Sequence, residues 1–132
     1  MPDNSLRDFY ERYVAAANAR NFELIASLIH DDVMINGVPH KREDSINGLR
    51  EITDAVPNFQ WQIEDLIVQE DRIAARLRDT GKPVKKWLGF NPTGASVAFT
   101  EFASYKVRDG RFAEMWFLMD VSAIEQQMKA QH

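Results

Sequence analysis

The segment from Val97 to Asp120, VAFTEFASYKV-RDG-RFAEMWFLMD, commits the chain to an antiparallel sheet. Asp109-Gly110 is a strong two-residue type I′ hairpin signal, and the runs on either side are rich in Val, Phe, Tyr and Trp. Side chains alternate faces along a strand, so Val97, Phe99, Glu101, Ala103 and Tyr105 share one face. Lys106 falls on the other, which makes the first face the interior. With Asp109 and Gly110 as the central turn residues, Arg108 pairs with Arg111, Glu101 with Leu118 and Phe99 with Asp120. The interior face of the closing strand then reads Phe112, Glu114, Trp116, Leu118 and Asp120. Glu101 sits diagonally from Trp116 and Asp120, at roughly 7–8 Å between backbones, within reach of long side chains.

Two acids beside a Trp on an apolar face are the ingredients of proton transfer. Burial raises a carboxyl pKa and mutual repulsion separates the two values, so one group holds a proton while the other takes one. A structural reading stands beside this one. Asp120 precedes Val121 and Ser122, and Ser122-Ala-Ile-Glu125 fits a capping box that opens a final helix. An acid there favours the positive end of that helix, and Glu101 has the option of an arginine partner. Met115, Phe117, Met119 and Val121 fall on the opposite face. A strand apolar on both faces needs cover on both, which points to a homodimer through the sheet.

The first part of the chain is helical. Leu6, Phe9, Tyr10, Tyr13, Val14 and Ala17 recur at three- and four-residue spacing, and Asn21 is placed to cap a short second helix. Asp32 to Ile35 reads as a short strand running into the turn Asn36-Gly37, and Glu43 to Val56 as a third helix ended by Pro57. Phe59–Val68 and Ile73–Thr80 form a hairpin around Gln69–Arg72, followed by the punctuated segment GKPVKKWLGFNPTGAS. Helices first and an antiparallel sheet afterwards give an α+β domain, a single one over 1–132, with helices on one sheet face.

Composition narrows the function classes. A net charge of −4 with no basic run argues against nucleic-acid binding, and the apolar fraction of 45% is that of an ordinary globular domain. The absence of cysteine removes disulfides, thiol nucleophiles and thiolate metal sites, and fits a reducing cytoplasm. No apolar run approaches the ~18 residues of a membrane span, and the N-terminus lacks a signal-sequence pattern. His30, beside two aspartates, is read as favouring a helix C-terminus and not as a metal ligand; no metal or cofactor is expected. His40 lies in the polar loop VPHKRED near the expected pocket mouth, either solvated or shuttling protons, and His132 is a frayed terminus. Trp61, Trp87 and Trp116 are candidates for a flat pocket, with Trp61 also a candidate for the core and Trp87 for a lid or subunit contact. Asn36 is either a turn residue or a donor to a substrate carbonyl.

Several segments together resemble the SnoaL-like polyketide cyclases, or predicted ester cyclases, of the nuclear transport factor 2-like superfamily. They are Ala19-Arg20-Asn21-Phe22 after the first helix, His30-Asp31-Asp32-Val33, and Pro57-Asn58-Phe59 before Ile63-Glu64-Asp65-Leu66. Leu88-Gly89-Phe90-Asn91-Pro92-Thr93-Gly94 and the stretch Lys106 to Trp116 with Asp120 complete the set, covering about residues 6–128. The resemblance implies a cone-shaped α+β barrel wrapped around a pocket closed by the helices. It also implies cofactor-independent ring closure by intramolecular aldol reaction, with Asp120 as the acid/base, and a homodimer. Where many members carry His after the first strand this chain has Asn36, and the penultimate strand has Glu101 and Ala103 inward in place of His.

The reading is a small cyclase that deprotonates a hydrophobic or aromatic carbonyl compound, with Asp120 and Glu101 catalytic. Trp116, Asn36, Leu118, Phe99, Tyr105, Trp61 and His40 are expected around the substrate. An isomerase or hydrolase of the same fold, or a small-molecule-binding domain without turnover, are the alternatives.

Overall fold

The computed structural model describes residues 2–129, with side chains over 5–129; His132 lies outside them. The elements run α1 (Pro2–Asn18), α2 (Phe22–Ser27), β1 (Ile29–Ile35), β2 (Val38–Lys41), α3 (Arg42–Ala55), β3 (Gln60–Gln69), β4 (Arg72–Gly81), β5 (Val97–Arg108), β6 (Arg111–Met119) and α4 (Val121–Lys129). The six strands form one curved, unclosed sheet in the order β2-β1-β6-β5-β4-β3, with β1 parallel to β6 and every other pair antiparallel. This is the expected α+β cone. Among the described residues no helix is long and apolar enough to cross a membrane.

The apolar stripe of α1 packs into the concave sheet face. Phe9, Tyr10, Tyr13, Val14 and Ala17 are all buried, and Phe9 and Tyr13 meet Phe112 edge-on at 4.8 Å. Asn18 ends the helix and fixes where β3 begins, because its amide both accepts from Trp61 N (2.8 Å) and donates to Trp61 O (2.9 Å). Asn21 caps α2 through Leu24 N, as its position implied. A short strand β2 replaces the polar loop read around His40, pairing it with Val33.

The closing hairpin departs from expectation at one residue. Arg108 pairs with Arg111 and Val107 with Phe112, as a turn at Asp109-Gly110 requires, but Lys106 then pairs with Glu114. Ala113 is the extra residue of a β-bulge, and Phe112 and Ala113 are consecutively buried. One inserted residue sends every later side chain to the other face. Glu101 therefore opposes Met119, not Leu118. Met115, Phe117 and Met119 point inward, where a subunit contact had been expected. Trp116 and Leu118, expected inside, are 43% and 71% exposed on the convex face. Asp120 is exposed too; its Oδ1 accepts from Ala123 N at 3.1 Å, so it caps α4 in the role assigned to Ser122.

Candidate active site

Between the concave face, α1 and α3 lies a cavity of about 220 Å³. Tyr10 and Tyr13 enter from α1, Trp61 from β3, Glu101 and Tyr105 from β5, and Phe117 and Met119 from β6, with Asp44, Ser45, Gly48, Leu49 and Ile52 of α3 on the remaining side. Strand parity holds on β5, which is why Glu101 and Tyr105 are where the sequence placed them. The Tyr10 and Tyr105 hydroxyls stand 3.1 Å apart with their rings 5.0 Å apart. Burial pushes the pKa values of Tyr10, Tyr13 and Tyr105 up, so all three remain protonated donors at neutral pH.

The partner of Glu101 is Asp79. On β4, Ile73, Ala75, Leu77 and Asp79 alternate inward and are all buried. Leu77 pairs with Glu101 and Asp79 with Phe99, which sets the two acids diagonally adjacent on one face. Asp79 is fully buried and Glu101 is 3% exposed. As two carboxylates, neither Asp79 oxygen nor Glu101 Oε1 meets a donor. Buried acceptors without donors are costly, and a proton on Asp79 turns the repulsive contact into a hydrogen bond. Burial first, then the hydrogen bond to Glu101 and its charge, push Asp79 up to about 10. Burial also raises Glu101, opposed by hydrogen bonds from Asp79 and Trp61. The pair thus holds a proton on Asp79, at the back, and leaves Glu101 as the carboxyl at the cavity wall. The signal for Asp79 was in the sequence: the period-two run Ile73, Ala75, Leu77 carries straight on to it.

At the α3 side, Asp44 Oδ2 lies 3.0 Å from His40 Nδ1 and accepts from Lys41 N at 3.1 Å. These two contacts, the imidazole first, hold the Asp44 carboxyl below its usual range. His40 touches the site only through Asp44. The other expected ligand contacts are redistributed. Asn36, at φ 49° in its turn, commits its side-chain oxygen to Phe117 N at 2.8 Å and lies beside Trp116 on the convex side. Phe99 is core, packed against Phe59 and Trp87 at 6.1 and 6.0 Å, and Trp87 is buried there instead of forming a lid. His30 bonds the Arg108 carbonyl at 2.6 Å from β1, not from a helix end.

A family model described as SnoaL-like polyketide cyclase matches residues 7–128. Among solved structures, the chain is similar to a SnoaL-like polyketide cyclase from Agrobacterium tumefaciens, at 26% identity and TM-score 0.86, covering 92% of this chain and 96% of that one. It is similar to IdmH from Streptomyces antibioticus at 25% identity and TM-score 0.80, with 95% and 96% covered. TsrD from Streptomyces laurentii shares the fold at 23% identity and TM-score 0.88, with 98% of each chain covered. No curated protein sequence matches the chain.

Proposed function

The chain belongs to the SnoaL-like polyketide cyclase family, and we propose that it is a cyclase-type enzyme in which Glu101, held by Asp79, moves the proton in an intramolecular aldol ring closure. One observation carries this reading: a buried carboxyl pair at an apolar cavity, with Glu101 in its wall and Asp79 behind it. Glu101 takes the proton from the carbon alpha to a substrate carbonyl. The enolate carbon attacks the second carbonyl carbon, and Glu101 returns its proton to the alkoxide that forms. One hydroxyl of the Tyr10–Tyr105 pair donates to the other, and the remaining O–H donates to the enolate oxygen. An acid/base group placed this way contributes roughly 10²–10⁴-fold in rate. Asp120, an exposed α4 cap that does not line the cavity, has no part in this scheme.

The test uses an enolisable ketone, 2-tetralone, in deuterated buffer. Wild type and Asp120→Asn should speed deuterium uptake alpha to the carbonyl, and Glu101→Gln should not. Equal uptake in Glu101→Gln would end the Glu101 assignment. Loss in Asp120→Asn with the fold intact would restore the aspartate expected from the family resemblance.

The dimer belongs to the same proposal, with its residues exchanged. Ile67, Phe102, Trp116 and Leu118 form the exposed apolar strip on the convex sheet face, and pairing of two copies through it supplies the cover that face lacks.

A further inference from the structure

Given the reading of the cavity as the reaction site, its size and lining narrow the ligand further. An apolar cavity of ~150 Å³ admits benzene, and pockets that enclose drug-sized ligands begin near ~300 Å³. At about 220 Å³ this one has room for a substituted ring or two fused rings. The charged side chains on its wall are Asp44 and Glu101, both acids, with no Lys, Arg or His among the lining residues. A carboxylate or phosphate inside would lose its water and meet like charge with no counter-ion. A cation would have to compete with His40 and the Lys41 N–H for Asp44, or hold Glu101 in the charged form that its burial opposes. The two hydroxyls of Tyr10 and Tyr105 use one proton between themselves, leaving the second free to reach a ligand oxygen.

We propose that the cavity selects a neutral, enolisable carbonyl compound of at most two fused rings, its oxygen held by the Tyr10–Tyr105 hydroxyl pair. The planar phenol 2-naphthol mimics the bound enol. Calorimetric titration should show it binding at least tenfold more tightly than 2-naphthoate, 1-naphthylmethylammonium or the four-ring 1-hydroxypyrene. Gly48 lies exposed at the α3 wall, and a Cβ added there meets nothing within 4 Å. Gly48→Leu should therefore fold and lower 2-naphthol affinity at least tenfold, whereas binding in the convex groove would be untouched. Tyr10→Phe, which keeps the ring, should weaken it several-fold. Equal or tighter binding of the anion, the cation or the four-ring phenol would overturn the proposal. So would no binding of 2-naphthol, or affinity unchanged in Gly48→Leu or Tyr10→Phe. Deuterium uptake into 2-tetralone reads the acid/base scheme separately: its loss with 2-naphthol selectivity intact would sink that scheme alone.

Discussion

Replacing Asp79 by Asn should make the protein more stable at neutral pH, not less. Asp79 has no access to water and a carboxyl raised from 3.8 to about 10, chiefly by burial and then by Glu101. The native state keeps a proton that the unfolded chain releases above about pH 4. Stability linked to that proton is complete below about pH 4 and declines as pH rises toward 10. By pH 7 about three units have passed at about 1.4 kcal/mol each, an upper bound of about 4 kcal/mol. Asparagine keeps the shape and a donor for Glu101 but cannot ionise. Its extra N–H has no acceptor there and costs about 1–3 kcal/mol. The net gain at pH 7 is at most about 1–3 kcal/mol, or roughly 3–15 °C in Tm for a chain of this size. Urea unfolding of both proteins from pH 4 to 9 reads it directly. Wild type should lose stability steadily with pH, Asp79→Asn should lose it less steeply, and the curves should cross between about pH 5 and 6. A variant less stable than wild type at every pH, with the same slope, would refute the buried-proton reasoning.

Three further outcomes follow from the closing hairpin. Leu118→Glu adds a charge at the most exposed apolar position of the convex face. Wild type should sediment at about twice the 15.2 kDa chain mass and this variant as monomer, because the contact would bury an unpaired carboxylate. Asp120→Ala removes the acceptor for Ala123 N and should cost about 1 kcal/mol in denaturant unfolding while leaving deuterium uptake into 2-tetralone intact. Gly37→Ala places a Cβ 3.2 Å from Trp116 Cη2 at φ 81° and should cost about 1 kcal/mol or more by the same assay.

The fold was legible because its signals are periodic. The α1 stripe, the Asn21 cap, the Asp109-Gly110 turn and the alternation on β5 each rest on local chemistry that tertiary structure did not override. The inward positions of Glu101 and Tyr105 were read in the same way, whereas Trp61 was singled out by residue type alone. The bulge at Ala113 was not, since a small apolar residue after Phe112 looks like ordinary strand, and its extra position is defined only by the pairing across from Val107 and Lys106. That one residue exchanged the roles of Trp116 and Leu118 with those of Phe117 and Met119, and moved Asp120 from the pocket to a helix cap. The idea of an inward acid pair survived the change because Asp79 supplies the second member. Its alternation on β4 was readable, but the hairpin with its two acids offered a competing partner for Glu101. The wall from α3 depends on how that helix crosses the sheet opening, which no spacing in the sequence encodes.

Carbon-detected magnetic resonance titration of the Asp79 and Glu101 carboxyl carbons reads the buried proton that the pair shares. The expected result is Asp79 still protonated through neutral pH, with Glu101 titrating above its ordinary 4.5 and its curve altered in Asp79→Asn. Two independent titrations near 3.8 and 4.5, each unmoved by substitution of the other residue, would contradict it.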